Sequence, residues 1–238
     1  MRSLSVLNSV LLLSVSGYLC FAGVAVAEGM LPETSVVILH EEQGEATINI
    51  KNTDEAPALL HSVVENVPED VEPLLIVTPP ITRVEAGETQ LVRFIATLKT
   101  PLKTQRLKRV TFEGIPQARA AGGATIGITI RQNLPLILHP KGLPRHDAPW
   151  ELLTWSRSGE RLAVHNDSAY VVRLAADVHL LPQGRMATLP RTYILPGETL
   201  AARVEGALGD LTEVEIQPAT VYGFSVDSYR TSVNADGR

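Results

Sequence analysis

Apolar and polar residues alternate with a period of two along much of this chain, which predicts β-strands rather than helices. The alternation is clearest over residues 45–51, 89–95 and 161–165, and the β-branched, apolar segment 171–181 also has the composition of a strand. Turn-forming residues follow these segments, as in the polar cluster 52–54. Short strands with a turn roughly every ten residues predict an all-β sandwich or barrel.

Two features recur at a similar distance along the chain, which predicts two similar domains in tandem. A Gly-Glu-Thr turn begins at Gly87 and again at Gly197, and a strand ends in asparagine at Asn52 and again at Asn166. The chain has 238 residues, which is enough for two immunoglobulin-like sandwiches of about 100 residues each. We therefore predict an all-β fold with two tandem immunoglobulin-like β-sandwich domains.

The predicted boundaries divide the chain into four parts. Residues 1–27 form a signal peptide, 28–139 the first domain, 140–148 a proline-rich linker, and 149–238 the second domain with a polar tail. The linker prediction rests on closely spaced proline and glycine residues, which make a stiff connector with few hydrogen bonds.

The N-terminal segment has the three parts of a secretory signal peptide. Arg2 supplies a positive start, an almost uncharged apolar stretch follows, and the small residues 25–27 end it. A membrane anchor is the weaker interpretation, because no positive flank follows the apolar stretch. Cleavage after Ala27 removes Cys20, the chain's one cysteine. A mature chain that enters an oxidising compartment without disulfides fits the bacterial periplasm.

Charge and motifs argue against several classes of function. The formal net charge is −5, and no long basic stretch indicates a nucleic-acid partner. The histidines show no paired, metal-ligating spacing, and no nucleophile elbow, phosphate loop or dinucleotide fingerprint is present. We expect no catalytic site, no metal or other cofactor, and no small-molecule substrate. The six histidines are His40, His61, His139, His146, His165 and His179.

Residues 124–139 form an unusually long strand-like segment. Ile126, Ile128 and Ile130 alternate with small or polar residues, and Leu134 and Leu136 continue the same parity. One interpretation is a plain strand with one face in its own core. The other is an edge strand offered to another chain, which Pro135 favours because proline cannot donate a hydrogen bond into a central ladder.

Several motifs together resemble the PapD-like periplasmic pilus chaperones, over essentially the whole mature chain. The most specific is Thr-Pro-Pro-Ile-Thr-Arg-Val-Glu-Ala-Gly at 78–87, followed by Val-Arg-Phe at 92–94. Thr-Phe-Glu-Gly-Ile-Pro at 111–116, Asn-Asp-Ser-Ala-Tyr at 166–170 and Leu-Pro-Gly at 195–197 also match the family's pattern.

The resemblance implies a fold and a function. Two immunoglobulin-like domains in an L-shaped arrangement would bind pilus subunits in the periplasm and deliver them to an outer-membrane usher. Ile126, Ile128 and Ile130 fall at the positions of the family's donor strand, which completes the unfinished sandwich of a subunit, and Leu134 and Leu136 extend that strand. Whether the strand is covered by self-association when no client is bound stays open.

Two departures from the family pattern affect the expected site. The family holds the subunit's C-terminal carboxylate with an arginine and a lysine, and the matching positions are Ser35 and Pro135. Arg83, Arg131 and Lys141 are candidate replacements, on the expectation that all three lie near the cleft. Two alternatives remain: a specialised chaperone with an unusual client, or a two-domain surface or pilus structural or adhesion module without chaperone activity.

Overall fold

A computed structural model describes residues 29–116, 129–220 and 226–235, and within these ranges the chain is almost entirely β-structure. The strands of the first domain are β1 (Met30–Pro32), β2 (Val37–His40), β3 (Glu45–Asn52), β4 (Ala58–Asn66), β5 (Leu75–Thr78), β6 (Ile81–Val84), β7 (Thr89–Ala96), β8 (Arg106–Pro116) and β9 (Arg131–His139). Those of the second domain are β10 (Leu153–Ser158), β11 (Arg161–Asn166), β12 (Val172–Leu181), β13 (Arg185–Thr188), β14 (Tyr193–Ile194), β15 (Glu198–Val204), β16 (Glu213–Pro218) and β17 (Tyr229–Ala235).

The first domain is a sandwich of two sheets. One sheet has the order β1-β3-β7-β5, and the other has the order β2-β9-β8-β4-β6. Alternate residues of both sheets point inward, so Ile48 and Ile50 of β3 meet Phe112 of β8 in one apolar core. The period-two alternation predicted from the sequence is confirmed here: β3 and β7 occupy the segments that it marked.

The second domain encloses its own core, with Trp155 and Val178 fully buried near the centre. A short 3₁₀ turn, Pro149–Leu152, leads into it and packs Trp150 against that core. Strand β13 pairs with both β12 and β15, and β17 pairs with both β10 and β16, so strand pairing joins the two layers of this sandwich. Both cores confirm the predicted all-β, two-domain, immunoglobulin-like fold.

The two asparagine turns have the same structural role, as the repeat predicts. Asn52 is fully buried, and its Nδ2 donates to the carbonyl oxygens of Ala56 and Val84, both at 3.0 Å. Asn166 is also fully buried, and its Nδ2 donates to the carbonyl oxygens of Tyr170 (2.8 Å) and Ile194 (3.2 Å). In each domain one side-chain amide therefore ties a strand end to the strand preceding the Gly-Glu-Thr turn.

The two glycines of these turns also correspond. Gly87 and Gly197 adopt φ angles of 75° and 74°, in the left-handed region that favours glycine. The N–H of Gly87 donates to the Asn52 carbonyl at 2.9 Å, and that of Gly197 donates to the Asn166 carbonyl at 2.7 Å. The turn and the asparagine are thus joined in the same way in both domains.

The described domains meet in a small apolar contact supported by hydrogen bonds. Leu107 and Ile137 of the first domain cluster with Val171 of the second. The Gln105 backbone N–H donates to the Ala169 carbonyl at 2.8 Å, and its side-chain Oε1 accepts from the Val171 N–H at 2.8 Å. Apolar packing and hydrogen bonds therefore both join the two domains here, and Leu107 also lines the cavity described below.

A compact ion cluster stabilises the end of the first domain near this contact. Lys108 is fully buried, and its Nζ lies 2.9 Å from a carboxylate oxygen of Asp70 and donates to the Asp70 carbonyl at 2.6 Å. Arg106 forms a two-pronged contact with the same carboxylate and a further bond of 3.2 Å to Glu72. Burial alone would raise the pKa of Asp70, but hydrogen bonds from Arg106 and Lys108 outweigh it and lower that pKa.

Candidate functional site

The N-terminal part of the expected donor segment lies largely outside the described residues. Ile126 and Ile128 fall within 117–128, which the structure does not describe. Ile130 is described, and 42% of its surface is exposed. It directly precedes β9, so an exposed apolar side chain stands at the point where the paired sheet begins.

Leu134 and Leu136 do not present an accessible face to another chain. They are 6% and 0% exposed, respectively, and both pack into the core of the first domain. The expectation that they form part of the subunit-binding surface is therefore corrected. Parity along the strand was the same as for Ile130, but at these positions β3 and β7 of the opposite sheet already cover that face.

Strand β9 is an edge strand over only part of its length. On one side it pairs with β8 from Arg131 to Leu138, whereas on the other side β2 pairs with it only from Leu136 to His139. The side facing away from β8 is therefore unpaired in the described structure from Arg131 to Pro135. Pro135 is the last residue before pairing with β2 begins, which is a position that a residue without an N–H can occupy.

The structure does not bring Arg83, Arg131 and Lys141 together. Arg83 lies on β6, separated from β9 by β4 and β8, and pairs with Glu85 at 2.7 Å. Arg131 begins β9 and contacts Glu65 and Thr111. Lys141 follows the far end of β9, about 30 Å from Arg131 at the rise of an extended strand. The expectation that all three line one cleft is therefore wrong, because they are spread over the sheet.

A cavity of about 210 Å³ lies between the two domains, and no pattern in the sequence predicts it. Arg109 and Pro135 line it from the first domain, and Arg173 and Tyr193 line it from the second. Pro135 is buried there, directly opposite Arg109 in the register of β8 and β9. Leu107, Leu174, Ala175, Thr192 and Ala219 complete the lining.

The two arginines of this cavity differ in their contacts. Arg109 donates from Nε to Asn133 Oδ1 and from Nη2 to the Asn133 carbonyl, both at 2.7 Å. Arg173 has a buried Nη1 that meets no hydrogen-bond partner among the described residues. Burial lowers the pKa of both guanidinium groups, and the positive charge of Arg109 lowers the pKa of Arg173 further.

One sequence signal could have pointed to Arg173. It interrupts an apolar run between the buried Val172 and Leu174, so strand alternation places it on the face away from its own core. Arg109 carries no such signal, because it follows the charged Lys108 in the sequence. The pattern around Arg173 does not show that the two side chains meet, because they belong to different domains.

Beside the cavity, a polar network joins the domains. Glu69 accepts from Arg191 at 2.5 Å and from the Tyr193 hydroxyl at 2.7 Å, and Arg191 also pairs with Glu198. Burial and the hydrogen bond to Glu69 raise the pKa of Tyr193 to about 12, so it is a neutral hydroxyl donor at physiological pH. Both acidic groups nearest Tyr193 are thus already bound to Arg191.

A second polar contact lies at the end of β9. Gln105 and the Nδ1 of His139 are 2.9 Å apart, and the Nε2 of His139 is 2.9 Å from the Leu143 carbonyl. In this geometry the Gln105 amide donates to Nδ1 of His139, and Nε2 donates to the Leu143 carbonyl.

Within the described ranges, no cluster of three or more histidine, cysteine or acidic side chains could hold a metal ion. Nor does any described helix have the length and apolar character needed to cross a membrane.

Both halves of the chain match models of one protein family. Residues 29–144 match the N-terminal domain of the pili and flagellar-assembly chaperone PapD, and residues 148–229 match the C-terminal domain of the pili assembly chaperone PapD. The chain belongs to the PapD family of pili assembly chaperones. The resemblance read from the 78–87 motif and from the asparagine turns is therefore confirmed.

Relatives and solved structures agree with this assignment. The fimbrial chaperone YhcA of Escherichia coli K12 is 41% identical over 208 residues, which cover 87% of this chain and 92% of YhcA. The chaperone protein MrkB of Klebsiella pneumoniae is 26% identical over 203 residues, covering 76% and 87% of the two chains.

Among solved structures, the complex of Salmonella enterica SafA pilin with the SafB chaperone matches with a TM-score of 0.72 at 21% identity, covering 87% of this chain and 97% of the other. The E. coli chaperone DraB matches with a TM-score of 0.70 at 19% identity, covering 86% and 98%. At these identities the likeness shows a shared two-domain fold.

Proposed function

We propose that this protein is a periplasmic chaperone that binds pilus subunits by adding a strand to their incomplete sandwich and then delivers them to an outer-membrane usher. The observation that carries the proposal is the open side of β9 from Arg131 to Pro135, preceded by the exposed Ile130, in a chain of the pili assembly chaperone family. Strand addition uses main-chain bonds for affinity and alternate side chains for specificity.

The proposed donor residues are Ile126, Ile128 and Ile130. They share one parity, so in an extended strand they point to the same side and fill successive sites in a subunit's groove. Each buried isoleucine contributes up to about 2 kcal/mol before the cost of ordering the segment. Leu134 and Leu136 are buried in the chaperone's own core and hold the strand that follows Ile130.

A matched pair of variants tests this proposal. Ile128→Asp places a charge on the proposed donor face, whereas Thr129→Asp places the same charge one residue away on the opposite face. Each variant is co-expressed in the periplasm with the pilin-like subunits encoded nearby, and complexes are isolated by pull-down and identified by mass. We expect wild type and Thr129→Asp to hold a stoichiometric subunit and Ile128→Asp to lose it.

Two other outcomes of the pull-down would contradict the proposal. Equal capture by all three proteins would rule out this strand face as the donor. Stable, soluble subunits with no complex in wild type would favour the adhesion-module alternative. Arrival at an usher is tested separately, by asking whether detergent-solubilised usher retains the chaperone only when a subunit is bound.

The periplasmic location rests on the predicted signal peptide, residues 1–27, which lie outside the described residues. The family context favours it, since the matched structures include the periplasmic chaperone SfaE. Intact-mass measurement of protein from a periplasmic extract should give a chain that begins at Glu28. A chain that retains Arg2 and Cys20 would contradict the prediction.

A further inference from the structure

The cavity between the domains has a feature that the donor strand does not explain. It brings two guanidinium groups together across the domain boundary, from Arg109 on β8 and Arg173 on β12. Arginine keeps its charge at any physiological pH. No acidic residue is among the described residues that line the cavity. A partly buried pair of like charges without an anion between them is unfavourable.

The acidic side chains near the cavity do not act as counter-ions to these two arginines. Glu69 and Glu198 lie beside the cavity but are bound by Arg191. Glu65 attracts Arg109 only at longer range and is itself in contact with Arg131. The positive charge of the cavity is therefore left without a close counter-charge among the described side chains.

Hydrogen-bonding capacity in the cavity is also unused. The Nη1 of Arg173 is buried and unpartnered, and an unmet buried donor is costly. Arg109 uses Nε and Nη2 on Asn133, which holds its guanidinium in a defined orientation beside the cavity. Tyr193 also lines the cavity, but its hydroxyl already donates to Glu69 at 2.7 Å, so the donors left for a ligand are guanidinium N–H groups. A planar carboxylate matches such donors better than a neutral group would.

The open side of β9 leads to this cavity. The strand runs from the exposed Ile130 to Pro135, which lines the cavity, over about 17 Å. Strand β2 continues the same side of β9 from Leu136 and runs parallel to it. A strand added parallel to β9 along 131–135 would therefore point its carboxyl end at the cavity, where β2 blocks further extension.

Resting on the proposed chaperone function, we propose that Arg109 and Arg173, one from each domain, bind the C-terminal carboxylate of the subunit strand that lies along β9. Pro135 and Ser35, where the family pattern has cations, are then replaced by an arginine from the neighbouring strand and one from the second domain. The anchor is shared between domains, so a bound carboxylate joins them.

Synthetic peptides provide the direct test. The probe is the last strand of the captured subunit, made once as the free acid and once as the C-terminal amide, which lacks the negative charge. Binding is measured by calorimetry to wild type, Arg109→Gln, Arg173→Gln and the exposed control Arg161→Gln. We expect wild type and the control to prefer the free acid by about tenfold or more, and each cavity variant to lose most of that preference.

Two results would overturn the proposal: equal binding of acid and amide by wild type, or an unchanged preference in both cavity variants. These are distinct from failure of the proposed function. If Ile128→Asp abolishes subunit capture while the acid preference is absent, strand donation stands and only the anchor is wrong. If wild type captures no subunit, the chaperone proposal itself fails.

A stability measurement separates an anion site from a structural role. Because Arg173 Nη1 has no partner, Arg173→Gln should leave the melting temperature of the client-free protein unchanged or raise it, and a clear drop would assign the residue to the fold instead. Inorganic phosphate tests whether the cavity binds any small anion rather than a peptide carboxylate. Stabilisation by millimolar phosphate that matches that of the free-acid peptide would show a general anion site and overturn the assignment to the subunit's terminus.

Discussion

At the scale of single residues, the most informative side chains are polar groups buried with complete sets of partners. Asn52 and Asn166 each close a turn by bonding two carbonyl groups. Their recurrence along the sequence marks both positions, because a buried amide at a strand end serves each domain in the same way. The ion cluster around Lys108 gave no such signal, because its members come from separate segments.

Asp70 offers a test of that cluster. Its side chain is 7% exposed and faces the fully buried Lys108. Asp70→Asn removes the counter-charge and should lower the free energy of unfolding by about 3 kcal/mol, since a buried charge is left unpaired. Glu72→Gln, at a 52% exposed side chain that bonds the same Arg106, should cost less than about 1 kcal/mol. Urea denaturation of both variants measures the difference, and equal losses would contradict this account.

The lowered pKa of Asp70 also predicts a pH dependence. A carboxyl whose pKa is lower in the folded state than in the unfolded chain binds more protons when unfolded, so it stabilises the fold above its ordinary pKa. That contribution is lost as the pH falls below about 4 through the lower, folded value. Wild type should therefore lose more stability than Asp70→Asn between pH 5 and pH 3, as measured by denaturant titrations. Parallel losses would show that other carboxyl groups dominate acid unfolding.

At the scale of elements, β9 shows both the strength and the limit of reasoning from alternation. Period two placed β3, β7 and β11 correctly, because each has one face in a core and one in solvent. In the segment 124–139 the alternation of apolar residues also predicts which side of the strand each residue faces. It does not predict what covers that side. The opposite sheet covers Leu134 and Leu136 and leaves Ile130 exposed, a boundary that no local pattern marks.

Because Leu136 is buried and Ile130 is exposed, replacing each of them by aspartate should have a different effect. Leu136→Asp buries a charge in the core of the first domain and should unfold it, with a loss above about 3 kcal/mol. Ile130→Asp lies at a 42% exposed position and should leave the melting temperature within a few degrees while weakening subunit capture. Thermal unfolding and pull-down, run on both variants, give the comparison. A stable Leu136→Asp protein would be inconsistent with the buried assignment.

At the scale of the whole molecule, the contact between the domains combines a small apolar patch with polar bonds. Leu107, Ile137 and Val171 form the patch, and Glu69 with Arg191 forms a charged contact at one side. The sequence predicted two domains and a connector, but it did not predict which surfaces meet. The pairing of Arg109 with Arg173 in the cavity could not be predicted for the same reason. Within its own domain each is an ordinary strand residue, and only the contact between the domains brings the two side chains together.

Glu69→Gln tests how far this charged contact couples the domains. The change leaves Arg191 with its other partner, Glu198, but weakens its bond across the boundary. We expect each domain to keep its own stability while the two unfolding transitions separate in calorimetry, because the domains stabilise each other less. Glu213→Gln, at an exposed residue of β16, is the control and should leave the transitions as in wild type. A single, unshifted transition in Glu69→Gln would assign the coupling to the apolar patch.

The two-sided pairing of β9 beyond Pro135 has a mechanical consequence. From Leu136 to Leu138 the strand is held by ladders to both β2 and β8, whereas a partner strand along 131–135 would be held by one ladder. A pull along the strand axis loads the bonds of a ladder in shear and all together, so the side with two ladders resists the larger force. Under tension a bound subunit strand should therefore dissociate before β9 is pulled out of its sheet, which leaves the chaperone able to bind another subunit.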